Sequence, residues 1–240
     1  LSNGGLINEG EISTRLGLKG IPFLAEKIIV QRDLSLLDEY SCKYHISQIS
    51  SEKTLSVIKR AKEEGKNFST GVSVNNLSLN ENDIGDFRTF LKLSPPLRTE
   101  KDRLSLINGI NEGLIDVIVS DHKPEDEESK RLTFAKAATG ASGIETLLPL
   151  ALELFHNKKI KLDKLIACFT SNPSKILGIN KGSLTVGNEA DLCVVDINKP
   201  WKVNKVQLKS KSKNTPIENR SLQGQILKTF VKGDLVFDRT

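Results

Sequence analysis

Histidine is scarce in this sequence: His45, His122 and His156 are the only three in 240 residues. A catalytic zinc site takes three protein ligands, mostly imidazoles, and a binuclear site takes more. These residues alone cannot form a His-rich metal centre. Methionine is absent altogether, including from the first position, so the chain reads as a piece of a longer protein. The cysteines number three and lie far apart, at 42, 168 and 193. That odd, scattered set points to buried thiols in a reducing cytoplasm, not to disulfides or a zinc knuckle. No apolar run approaches the ~20 residues that span a bilayer, and no secretory signal opens the chain. P-loop, GxGxxG, GxSxG and HExxH signatures are missing, which leaves nucleotide-cradling, serine-hydrolase and zincin readings without local support.

What is present reads as a globular α/β chain, with 38% hydrophobic and 27% charged residues. The net charge of +5 is densest in "KPWKVNKVQLKSKSKN", 199–214. Val and Leu alternate with those lysines, which suits a solvated strand face and the loop after it better than a nucleic-acid surface. Residues 8–22 are rich in Gly and polar side chains and read as loop with at most a short helical turn. Helical spacing follows from Pro22 to Tyr40, and "KYHISQIS", 43–50, alternates as a strand. Ser51 is the expected cap of an amphipathic helix ending at Gly65. "FSTGVSV", 68–74, is the next strand, and Thr99 the expected cap of a helix over 99–113. "IDVIVS", 115–120, reads as a strand buried on both faces, and 143–156 and 162–178 as helices. Alternation of this kind indicates a parallel sheet or a (β/α) barrel. After Gly178 the pattern shifts to short strands with Gly and Asp turns. The expected division is therefore 1–178, a portion of a barrel, and 179–240, a small β-domain segment.

Active residues of such barrels stand at the carboxyl ends of strands. The residues there are His45 and Gln48, Asn75 and Asn76, Ser94 after "FLKL", and Asp121 with His122. Asp121 is the sharpest candidate. A carboxylate in that position can ligate a metal and take a proton from bound water, or simply cap the next turn, and spacing leaves both roles open. Neighbours on an extended segment point oppositely, so His122 reads as a packed or supporting residue. His45 reads as structural. His156 ends a helix read as facing solvent and has no role assigned.

The motifs "GGLINEGEISTRLGLKGIP", "YHISQISSEKTL", "LKLSPPLRTEKDR", "GLIDVIVSDHKPEDEESK", "SNPSKILGINKGSLTVGNEADLCVVD" and "KSKNTPIENRSLQGQILKTFVKGDLVF" occur in one order along the chain. Together they resemble the dihydroorotase family of the amidohydrolase superfamily over the whole sequence. That resemblance implies a metal-dependent-hydrolase (β/α)8 barrel, of which this chain holds the later strands and helices, followed by a small β-domain. It implies cyclic-amide hydrolysis, interconverting dihydroorotate and N-carbamoyl-aspartate in pyrimidine synthesis, with zinc as cofactor. Asp121 matches the family's proton-shuttling, metal-facing Asp. Gln48 and Asn76 occupy positions matched to ligand histidines, and neutral amides are much poorer zinc ligands than imidazole. Ser94 and Glu125 stand where the family has substrate-contacting Asn and His. The resemblance thus implies a cytoplasmic, oligomeric protein with a degraded metal site and weak or no activity. Aspartate carbamoyltransferase is the implied partner, with no nucleic acid or membrane involved. The alternative it leaves is an active mono-metal hydrolase built from an upstream His-x-His plus Asp121.

Overall fold

The structure is a computed structural model and describes residues 1–239. Its centre is a three-stranded parallel sheet in the order β3 (Tyr44–Ile46), β4 (Phe68–Ser73), β5 (Val117–Val119). His45 pairs with Ser69, and Val72 with Ile118. Because the strands are parallel, their carboxyl ends share one edge. Gln48 and Asp121 each lie two residues past a strand on that edge. Ile49, Val72, Val74 and Leu97 are fully buried around it.

Helices α3 (Glu52–Glu63) and α5 (Glu100–Asn111) form where their caps predict. The Ser51 hydroxyl accepts from Thr54 N at 3.1 Å, and that of Thr99 from Asp102 N at 3.1 Å. These bonds satisfy amides that the first helical turn leaves orphaned. Asp102 joins the two helices, one oxygen serving Thr99 and the other accepting from Glu52 N at 2.8 Å. The buried Arg98, just upstream, ties three segments together. Its Nε donates to Ser50 Oγ at 3.1 Å, and its Nη1 to Asn8 Oδ1 and the Ile21 carbonyl, both at 2.7 Å.

Four local expectations need correction. Residues 8–22 are more than loop: β1 (Ile7–Asn8) and β2 (Gly20–Ile21) pair in parallel around α1 (Glu11–Leu16), because the Arg98 bonds draw Asn8 and Ile21 together. "FLKL" is not a strand but ends a 3-10 turn over Thr89–Leu91. The helix expected over 162–178 is two, α8 (Leu162–Ala167) and α9 (Ser171–Leu177), broken at Thr170 with ψ −86°. Of the cysteines, Cys168 is buried but Cys42 and Cys193 are exposed.

Between these lie α2 (Leu24–Leu36), the short α4 (Val74–Ser78) and α6 (Glu127–Arg131), and the apolar α7 (Leu147–His156). The last described segment is an antiparallel sheet of β6 (Leu192–Lys202), β7 (Ser221–Val231) and β8 (Asp234–Asp238), with β7 in the middle. His156 does not face solvent alone: its Nε2 donates to the β6 carbonyl of Ile197 at 2.9 Å.

Two buried lysines shape the loop 132–141. Lys92 Nζ donates to the carbonyls of Ala135 and Ala137, and Lys130 Nζ to those of Ala138 and Gly140. Burial pushes the Lys130 ammonium down from 10.5 to about 8. The folded chain therefore releases this proton near pH 8, while the unfolded chain holds it to about 10.5. Below pH 8 the buried charge is a constant penalty; from there to 10.5 the unfolded state binds more protons, so stability rises with pH. Urea denaturation across pH 7.5–10 should show this rise, and the difference between wild type and Lys130→Met isolates it from other lysines. Parallel pH profiles for the two proteins would refute it.

Candidate functional site

The carboxyl edge of the parallel sheet brings two of the sequence candidates together. Gln48 Nε2 donates to Asp121 Oδ1 at 3.0 Å, across 73 positions of sequence. Both side chains are half-buried. Asp121 has φ 48°, a left-handed turn that Asp tolerates better than most residues and that ends the strand abruptly. Burial holds its carboxyl above the usual carboxylate range; the Gln48 hydrogen bond and the Lys123 charge act in the opposite sense. Desolvation of this kind favours the protonated acid, so the group is suited to carrying a proton.

The other candidates are arranged differently. Asn76 is buried in α4, and its Nδ2 donates to the Pro96 carbonyl at 3.0 Å; no hydrogen bond joins it to Asp121. Asn75 is buried beside it, and its Nδ2 lacks a partner among the described residues. Ser94 is exposed and precedes a cis peptide bond to Pro95, with no side-chain hydrogen bond to Gln48 or Asp121. Glu125 lies 4.0 Å from Lys123 Nζ, and its backbone N donates to Asn214 Oδ1 at 3.3 Å. With His122 and Asn214 it lines a cleft of about 850 Å³ beside the Asp121 corner.

Zinc is the group that the resemblance implies, and the residues present do not fit it. One ring nitrogen of each histidine is in a protein hydrogen bond (His45 Nδ1 with Ser69 Oγ at 2.7 Å, His122 Nδ1 with two backbone amides, His156 Nε2 with Ile197), and none of these bonds is to Gln48 or Asp121. Among the described residues no three His, Cys, Asp or Glu side chains converge as a metal-ligand set. The corner offers one carboxylate and one neutral amide. A carboxylate alone holds zinc poorly, and an amide oxygen adds little.

A residue that builds the adjoining cleft, Asn214, escaped sequence reasoning. Asn214 Nδ2 donates to the Gly140 carbonyl at 3.1 Å, and its Oδ1 accepts from Ser142 Oγ at 2.8 Å. Nothing in local spacing marks Asn214 as a partner of Ser142, 72 positions earlier, or of Gly140. The motif "KSKNTPIENR" was the available signal, since it belongs to the resemblance.

Comparison with known proteins bears on the family and the fold. The amidohydrolase family matches residues 20–236, from β2 into β8. A protein named dihydroorotase from Ehrlichia canis (strain Jake) is 43% identical over 238 residues, 99% of this chain and 53% of the relative. Another, from Wolbachia sp. subsp. Drosophila simulans (strain wRi), is 40% identical over 240 residues, covering 54% of its own length. This chain thus spans about half the length of the curated relatives it matches. Among solved structures, L-hydantoinase (dihydropyrimidinase) from Arthrobacter aurescens superposes with a TM-score of 0.86 at 29% identity, over 96% of this chain and 52% of that one. Dihydropyrimidinase from Brevibacillus agri NCHU1002 shares the fold, with a TM-score of 0.85 at 22% identity over 90% of this chain and 49% of that one. The family match spans most of the chain, and this chain belongs to the amidohydrolase family.

Proposed function

We propose that this chain is part of a dihydroorotase-like protein of pyrimidine synthesis whose metal centre has lost ligands. It has weak or no hydrolytic activity and acts as a structural partner of aspartate carbamoyltransferase, within a cytoplasmic oligomer. Residues 1–178 are a later portion of the hydrolase barrel, and 179–240 a segment of a small β-domain. The carrying observation is the Gln48–Asp121 hydrogen bond of 3.0 Å. An amide stands where the resemblance puts an imidazole ligand, and it is engaged with the acid that the resemblance makes metal-facing. Asn76, Ser94 and Glu125 are further departures in the same set, whereas Arg98, Asp102 and the caps keep the scaffold. Loss confined to the site and sparing the scaffold suits a protein retained for its shape.

The retained position of Asp121 supports a second reading, an active mono-metal hydrolase that uses upstream histidines with Asp121. Zinc content and dihydroorotate hydrolysis by the full-length protein separate the two. The structural-partner reading expects substoichiometric zinc and no turnover above background; stoichiometric zinc with ready turnover would sink it. Gln48→His should raise zinc affinity at least about tenfold, because imidazole is the stronger ligand. Asn76→His is the comparison and should gain less, since that side chain is turned to the Pro96 carbonyl. Co-purification of the full-length protein with aspartate carbamoyltransferase tests the partner directly.

A further inference from the structure

A second cavity, of about 370 Å³, lies where α7 meets the antiparallel sheet. It shares no lining residue with the cleft beside the Asp121 corner. Its size suits a small molecule. Gly224 of β7 lets the two elements meet. A Cβ there would stand 2.3 Å from Leu152 Cδ1 of α7, and its φ of 105° is one that side chains rarely adopt. At that contact the space opens between Leu148 and Pro149 of α7 and Trp201, Ile226 and Phe237 of the sheet.

Much of this wall is apolar, and its charged groups differ in what they already hold. Glu145 is the one acid of the lining. It accepts from Lys209 N at 2.9 Å and Ser210 N at 3.0 Å, so each of its oxygens has a partner. Lys209 and Arg239 are the two cations of the lining, and neither side chain has an ion pair or hydrogen bond among the described residues. The Arg239 guanidinium lies over the Phe237 ring, 5.6 Å from its centroid, and Arg239 N donates to the Leu227 carbonyl at 2.8 Å. Of the neutral polar groups, Asn204 serves its own turn, its Oδ1 accepting from Val206 N at 3.0 Å, and Thr229 Oγ1 is 3.7 Å from Cys193 Sγ. Trp201 adds a further unmet donor: its Nε1 is buried and has no acceptor among the described residues. A buried N–H without an acceptor forfeits a bond that it makes in water.

An apolar cavity with unpaired cations in its wall selects a ligand with an apolar body and one negative head. We propose that this seam binds a small amphipathic acid. Its aromatic or branched aliphatic body rests against Pro149, Trp201 and Ile226, and its carboxylate pairs with the Arg239 guanidinium. Phe237 serves twice, as apolar wall and as the ring on which the guanidinium is stacked. The inference stands apart from the hydrolase question, since neither Gln48 nor Asp121 lines this cavity.

The test is a calorimetric titration of the full-length protein with 3-phenylpropionate at pH 7.5. Binding should be saturable. The neutral 3-phenylpropionamide, of the same shape, should bind about tenfold or more weakly, and acetate, which lacks the apolar body, should not bind measurably. Trp201 is the only tryptophan in the 240 residues. Its emission should change as the site fills, and that change should vanish in Trp201→Phe. Arg239→Gln, at an exposed position, should weaken binding about threefold or more at an unchanged melting temperature. Phe237→Ala, on β8 and 37% exposed, should weaken it too, through loss of both wall and stack. The proposal is overturned by absence of saturable binding, by equal affinity for the amide or for acetate, by an emission change that persists in Trp201→Phe, or by undiminished binding in Arg239→Gln or Phe237→Ala.

Discussion

Replacing Arg98 by Met should destabilise the protein by about 3–5 kcal/mol, a large share of the ~5–15 kcal/mol that holds a typical domain together. Arg98 is 4% exposed and donates to Ser50, Asn8 and the Ile21 carbonyl. Methionine fills much of the volume but donates nothing. The acceptors on Asn8 and Ile21 would be left in a site closed to water. The Glu26 and Glu81 carboxylates, which share partners with Arg98, would also lose a nearby buried cation: Glu26 accepts from Ser50 N at 2.9 Å, and Glu81 from Asn8 Nδ2 at 2.7 Å. Breaking one side of a buried polar network costs more than the network is worth intact, because the remaining partners stay desolvated. The measurement is urea denaturation at neutral pH. A midpoint within error of wild type would show that water or a rotated side chain replaces the guanidinium. Arg98→Lys keeps the charge but not the fork of donors, and should fall between the two.

Gly71→Ala should cost about 3 kcal/mol or more, through the backbone rather than a lost contact. Gly71 lies in β4 beside the residue that follows β3, and an added Cβ would stand 2.3 Å from the Ser47 carbonyl oxygen. The oxygen is main chain and the Cβ position is fixed by the backbone, so no side-chain rotation relieves the clash. The strands must part by about 1 Å to reach ordinary contact. That movement breaks the bond from Ile49 N to the Gly71 carbonyl, 3.1 Å long, and carries Gln48 away from Asp121. One substitution would thus report on stability and on the site together. Thermal melting reads the first, and the second appears as loss of the zinc-affinity gain from Gln48→His when the two substitutions are combined. A Gly71→Ala protein with wild-type melting and an intact Gln48→His gain would contradict the geometry.

Much of the scaffold was legible because its causes are local. Ser51 and Thr99 cap the helices that follow them, through hydroxyls three residues from the amides they serve. Alternation in 68–73 and the apolar run before Asp121 mark strands, since side chains on a pleated backbone alternate with period two. The position of Asp121 past a strand end followed from the same pattern. Legibility failed where the cause was distant. The segment 8–22 looked like loop because the Arg98 guanidinium that organises it lies some eighty positions away. His156 looked solvent-facing because nothing nearby announces the Ile197 carbonyl of β6. Lys92 and Lys130 are buried against the carbonyls of one loop, and no local pattern marks them.

The sequence by itself determined the alternation of strands and helices, the family, and the shortage of imidazole, because these depend on local pattern and residue inventory. Tertiary structure alone decided which candidates meet. It joined Gln48 to Asp121, turned Asn76 to Pro96, and seated His122 on two amides from a segment more than twenty residues away. Hydrogen bonds are short-ranged and directional, so they form only between groups that the folded chain has brought face to face.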